Sequence, residues 1–180
     1  SHPKVICVVE KKPERITKPK KAVPAKAPKN AALLFLEHYY PIHYKAGIGV
    51  EDALRGGLLG RHQVAILWLI HSEGRQGRAM NRKAIEQSLS TWFEISGAAI
   101  TKALRSMAQA PLDLVTLRED PASGREKIVS LTPKGEVHLK RMIAQGTAYV
   151  QRIIDPMSDE EINNGLHFFQ RIGAVVDKLK

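Results

Sequence analysis

The stretch NRKAIEQSLSTWFEISGAAITKALRSMAQAPLDLVTLREDPASGREKIVSLT, residues 81–132, reads as helix, turn, helix and a two-stranded hairpin with a basic tip. Its second helix is expected to begin at Ser96, whose hydroxyl suits a helix start, with Ile95 and Ile100 spaced to staple the entry. Ile100, Leu104 and Met107 then recur at spacings of four and three, which makes one apolar stripe for a core. The opposite face carries Ser96, Gly97, Ala98, Thr101, Lys102 and Arg105: small residues first, then a hydroxyl and two cations. A helix that enters a major groove needs such a front, because small side chains let its positive end and free N–H groups approach phosphates. A solvated amphipathic helix has the same pattern, so the neighbouring segments decide.

Upstream, Asn81 is expected to cap a helix with Met80 and Ile85 as its staple pair and Leu89 continuing the buried face. A turn through Thr91-Trp92-Phe93 then leads to Ser96. Downstream, Pro111 ends the second helix by Ala110. Val115 and Leu117, then Val129 and Leu131, show the period-two pattern of strands, and the Pro and Gly of residues 119–126 mark the long turn between them. Thr132-Pro133 opens a helix expected to run to Ile154, roughly 33 Å. Ser158 with Glu161 forms a capping box for a last helix, whose apolar stripe is Ile162, Leu166, Phe169, Ile172, Val176 and Leu179.

Before residue 81, Asn30 caps a helix through Leu33, Leu34, Tyr40 and Tyr44, which Pro41 should kink or break. Gly47 and Gly49 punctuate the next segment, and Val50 to Leu54 reads as a short extra turn. Gly60 to His71 is a helix so apolar from Val64 to Ile70, Trp68 included, that it should be buried nearly all round. The loop Ser72 to Ala79 carries Arg75 and Arg78.

The 180 residues have a formal charge of +10 and a pI near 9.8, which favours a polyanionic partner. Residues 1–30 hold nine basic side chains against Glu10 and Glu14, so +7 of the +10 lies there. Residues 1–29 also contain five of the ten prolines, and repelling lysines among prolines read as an extended or disordered arm. Within the arm, Val5 to Val9 is able to add a strand to a sheet edge. The one cysteine, Cys7, excludes an intramolecular disulfide and fits a reducing compartment. No leader or membrane-length apolar run is read, so a cytoplasmic location is expected.

Three helices, a hairpin and two long helices make a mainly α fold: a winged helix-turn-helix flanked by N- and C-terminal dimerisation helices. The sequence resembles the multiple antibiotic resistance regulator (MarR) family over residues 30–180. Ser96-Gly97-Ala98-Ala99-Ile100-Thr101-Lys102-Ala103-Leu104-Arg105-Ser106-Met107 looks like that family's recognition helix. Leu114 to Arg118, Ser123-Gly124-Arg125 and Ile128-Val129-Ser130-Leu131-Thr132-Pro133-Lys134-Gly135 look like its wing and the junction after it. The junction is the more specific signal. Ser123 stands where the family often has an acid two before the wing arginine, Ala110-Pro111-Leu112-Asp113-Leu114 replaces its usual Gly-Leu turn, and the basic arm is additional.

The resemblance implies a homodimeric regulator that binds a palindromic operator in double-stranded DNA, a repressor released by a small aromatic or anionic effector. It divides the chain into a basic arm (1–29), an N-terminal dimerisation helix with an extra turn (30–57), the winged helix-turn-helix (58–132) and C-terminal dimerisation helices (133–180). Thr101, Lys102 and Arg105 are then candidates for groove contacts, Ser96 with Gly97 and Ala98 for a phosphate at the helix start, and Arg125 for the minor groove. Arg118, Lys127, Arg75 and Arg78 are candidates for phosphates, though any lone surface cation is as readily a solvated charge. The effector wall would hold Tyr39, Tyr40, His43, Tyr44, Trp68 and His71, although aromatics at helical spacing more often serve as core.

The alternative is a winged-helix module that binds protein or RNA without operator specificity; a footprint with two-fold symmetry on a duplex separates the two. An enzyme finds little support, since no phosphate-cradling glycine loop, partnered nucleophile or metal-spaced carboxylate pair is present. No cofactor or metal is expected either, because His38 and His43 are five apart and Cys7 lies in the arm.

Overall fold

A computed structural model describes residues 26–179. The expectations for residues 1–25, including the Val5 to Val9 strand and the role of Cys7, lie outside the described residues. Contacts divide the chain into two units, one ending at His38 and one beginning at Tyr39.

Of the first unit, residues 29 and 30 form a turn, from which the Asn30 carbonyl accepts from the Leu34 N–H and starts α1 (Ala31–Ile42). Leu33, Phe35 and Leu36 are all more than half exposed. Pro41 lies inside α1 but does not end the helical path. A π-helical segment, His43–Gly47, comes directly after it, and α2 (Ile48–Arg55) continues from there. The expected break is thus absorbed: proline lacks the N–H of a regular turn, and the wider spacing begins within two residues of it. Gly47 is helical rather than a punctuation point, and Val50 to Leu54 belong to a two-turn helix.

The second unit's core is built on α3 (Arg61–Glu73), where Val64, Ala65, Ile66, Leu67, Leu69 and Ile70 are buried. Trp68 departs from the expectation of all-round burial; it is 37% exposed because its side of α3 faces an open, mainly apolar hollow. Arg61 donates from Nε to Glu51 Oε1 at 2.6 Å and from Nη2 to Oε2 at 3.1 Å, a two-pronged pair between α2 and the start of α3. That hydrogen bond holds the Glu51 carboxyl below its usual pKa.

β1 (Ala79–Asn81) carries no strand signal in the sequence. It pairs antiparallel with β3 (Lys127–Leu131), which also pairs with β2 (Val115–Glu119), so the sheet has three strands in the order β1-β3-β2. α4 (Arg82–Trp92) extends through Thr91 and Trp92, which the sequence reads as turn; the connection to α5 (Gly97–Ala108) is four residues, 93–96. Met80, Ile85 and Leu89, the α5 stripe Ile100, Leu104 and Met107, and Val115 and Val129 of the sheet close on α3, each burial contributing on the order of 1.5–3 kcal/mol.

α6 (Pro133–Ile154) starts where the sequence places it: the Thr132 hydroxyl accepts from the Gly135 N–H at 2.9 Å and donates to the Asp113 carbonyl at 2.6 Å. Gly135 is required there, because a Cβ would collide with the Leu114 carbonyl oxygen. Ser158 and Glu161 form the reciprocal cap of α7 (Asp159–Val176). α7 has no buried residue; Leu166, Phe169, Ile172, Val176 and Leu179 of its stripe lie open, Phe169 by 72%.

Candidate nucleic-acid interface

The Ser96 backbone is extended (φ −80°, ψ 152°), and its hydroxyl accepts from the Ala99 N–H at 3.2 Å. That cap fixes where α5 begins. With Ile100, Leu104 and Met107 turned inward, Ser96, Gly97, Ala98, Lys102 and Arg105 are exposed and Thr101 is half-buried. Two cations one turn apart therefore succeed a small, uncrowded helix start whose N–H groups carry partial positive charge.

The wing extends from the same side. Arg118 stands opposite Ile128 and Glu119 opposite Lys127 in the β2–β3 register. At the tip Gly124 takes φ +64°, its N–H donates to the Asp120 carbonyl at 2.8 Å, and the Ser123 hydroxyl accepts from the Glu126 N–H at 3.0 Å. Ser123, in place of an acid, thus closes the turn. The wing is braced elsewhere: Asn81 Nδ2 donates to Glu126 Oε2 at 2.6 Å, while Asn81 Oδ1 caps α4 by accepting from the Lys83 N–H. Arg118, Arg125 and Lys127 are exposed.

Thr101, Arg105, Arg125 and Lys127 line one groove of about 760 Å³ between α5 and the wing. Ala98, Thr101, Lys102 and Arg105 line a second hollow of about 690 Å³ on the other flank of α5. Ser96, Gly97 and Arg118 line neither; the first two sit at the helix start and Arg118 on β2. Of the two cations in the loop before β1, Arg78 Nε lies 3.3 Å from Glu136 Oε1 and is engaged with α6.

Arg82 is absent from the candidates that the sequence suggests. Its Nη2 donates to Thr101 Oγ1 at 2.8 Å and its Nη1 to Glu86 Oε2 at 3.1 Å, tying α4 to the face of α5. One sequence signal points to it: a cation at the first position of a helix opposes the helix dipole and needs another reason to be there.

The aromatic residues form two groups. Tyr39 and His43 rings are 6.1 Å apart, His43 and Tyr44 5.0 Å, and Tyr40 and Tyr44 5.3 Å. Trp68 and His71 are 5.6 Å apart on α3. A mainly apolar hollow of about 280 Å³ is lined by Trp68 with Val50, Leu54, Ile143, Gly146 and Val150, among others, but by none of Tyr39, His43, Tyr44 and His71. Among the described residues no group of three or more His, Cys, Asp or Glu is placed to hold a metal ion, and no helix is long and apolar enough to cross a membrane.

Residues 59–135 match the family model described as a winged helix DNA-binding domain. The fold is similar to that of a MarR family protein from Bacillus stearothermophilus, with a TM-score of 0.68 at 14% identity over 83% of this chain and 98% of that one. It is also similar to the YusO protein from Bacillus subtilis (TM-score 0.60, 15% identity, 83% and 99% covered). A MarR transcriptional regulator from Methanosarcina mazei Go1 is a further structural neighbour (TM-score 0.56, 18% identity, 79% and 91% covered). No curated protein matches the sequence.

Proposed function

We propose that the protein, whose residues 59–135 match a winged helix DNA-binding domain and whose fold is similar to that of MarR family proteins, is a homodimeric, sequence-specific regulator that binds a palindromic operator. The observation that carries the reading is the outward face of α5, small at its start and then cationic at Lys102 and Arg105, beside a wing bearing Arg118, Arg125 and Lys127. In this reading Thr101, Lys102 and Arg105 meet the major groove, and Ser96, Gly97 and Ala98 let the helix start approach a phosphate. Arg125 enters the minor groove, and Arg118 and Lys127 take phosphates beside it.

Dimerisation is supported by helices that bury nothing in a single copy. Tyr39, Tyr40, Ile42 and Tyr44 are each more than half exposed, as are Leu166 and Phe169 of α7. Apolar stripes of that extent favour a self-complementary mate. The protein acts as a cytoplasmic repressor, released when a small aromatic or anionic effector meets Tyr39, His43 and Tyr44 or Trp68 and His71.

The test is selection from a random duplex pool with the full chain, then footprinting and stoichiometry. A palindromic motif protected by two protomers supports the proposal. One protomer per site, or a preference for RNA, overturns it. Release from the selected duplex by small aromatic carboxylates tests the effector role, and unchanged binding across such a panel removes it.

A further inference from the structure

Resting on the DNA-binding reading above, we infer that Arg82 is a positioning residue that locks the Thr101 hydroxyl into accepting, so that the base it meets offers a donor or a methyl group and guanine is excluded. A threonine hydroxyl has one proton to give and two lone pairs to accept with. The proton goes to the Gly97 carbonyl, one turn earlier in α5, at 2.9 Å. One lone pair takes the Arg82 Nη2–H at 2.8 Å. What is left toward the groove is a single lone pair and the Cγ2 methyl.

Arg82 is itself held. Glu86, one turn on in α4, accepts from its Nη1 at 3.1 Å, and the Arg82 side chain is only 27% exposed. Glu86 also backs the start of α5, since a Cβ on Gly97 would lie 3.5 Å from its Oε1. The guanidinium therefore spends its charge against Glu86 and aims one N–H at Thr101, which lies on the groove wall with Arg105 one turn beyond it.

In the major groove adenine and cytosine offer amino donors and thymine a methyl, whereas guanine presents only the acceptors N7 and O6. A hydroxyl with no free proton has nothing to give guanine. With Arg82 present, turning the Thr101 side chain about χ1 so that its proton points to guanine breaks two hydrogen bonds; without Arg82 it breaks only the one to Gly97, and donation to guanine becomes accessible.

The experiment is duplex selection with the full-length wild type, Arg82→Met, Arg82→Lys and Thr101→Ser, with binding then measured against salt. Wild type is expected to deplete guanine at one position per half-site. Arg82→Met should relax that depletion by up to roughly tenfold, the scale of one ordinary hydrogen bond, with the salt slope unchanged. Arg82→Lys, which keeps a donor, and Thr101→Ser, which keeps the hydroxyl, should both retain it.

A motif unaltered in Arg82→Met overturns the inference, as does a wild-type motif that tolerates guanine everywhere. So does a uniform affinity loss with the log–log salt slope reduced by about 0.9 per protomer, which would make Arg82 a plain phosphate contact. Should Arg82→Met not fold, base analogues on the wild-type protein decide: deleting the amino or methyl group from the selected base must weaken binding, and unchanged binding overturns the inference. A wild type that selects no motif at all brings down the DNA-binding reading and this inference together; a motif indifferent to Arg82 brings down the inference alone.

Discussion

Replacing Phe169 with Asp separates a surface that pairs from one that is merely exposed. Phe169 is 72% exposed on a helix that buries no residue of its own. A Phe side chain exposes roughly 200 Å² when open, so about 140 Å² remains for a partner to cover, worth about 3.5 kcal/mol per copy at 25 cal/mol per Å². Losses of freedom on association reduce the visible share. A two-fold interface counts the change twice, so the expected weakening of dimerisation is at least a hundredfold, or about 2.7 kcal/mol. Sedimentation equilibrium across a concentration series measures it. The isolated protomer should be nearly unaffected, within about 0.5 kcal/mol in chemical denaturation at concentrations below dissociation, as for other surface substitutions. The reasoning is refuted if Phe169→Asp associates as wild type does, or if the wild type is monomeric throughout the series.

Four further substitutions test other links. Gly135→Ala places a Cβ against the Leu114 carbonyl oxygen, so urea denaturation should show a loss of about 1–3 kcal/mol, the usual range for overpacking; an unchanged midpoint would mean that the junction yields freely. Lys102→Ala and Arg105→Ala should each lower affinity for the selected duplex, and a residue that contacts phosphate should also lower the log–log salt slope by about 0.9 per protomer. Anisotropy titrations read both quantities, and unchanged affinity would remove that residue from the interface. His138, between Lys134 and Arg141 on α6, has its pKa lowered from 6.5, first by burial and then by those two cations. Because the folded protein binds that proton less readily than the unfolded chain, stability is unaffected well above pH 6.5 and falls as pH drops through 6.5 toward the depressed folded value. His138→Gln should flatten that part of the stability profile, and an identical pH dependence in the variant would show that other groups cause it.

Helix starts are legible in the sequence because their causes are local. Asn81, Ser96, Thr132-Pro133 and Ser158 with Glu161 each satisfy free N–H groups within three residues, and the structure places α4, α5, α6 and α7 where those residues put them. The strand alternation of Val115, Leu117, Val129 and Leu131 is legible too, since a period of two assigns one face without reference to anything distant. The polar face of α5 comes from its apolar stripe by the same logic.

Other features depend on partners far along the chain. Ala79–Asn81 has no readable period and is a strand because β3, nearly fifty residues later, supplies its hydrogen bonds. Trp68 belongs to an apolar run in sequence, yet which side of α3 stays uncovered is set by how α2 and α6 pack. The bond from Arg82 to Thr101 spans 19 residues and the brace from Asn81 to Glu126 spans 45. Local caps and periodicity carry the start and the buried face of these elements, but the meeting of one side chain with another across such spans exists only once the core has fixed the angles between α4, α5 and the sheet.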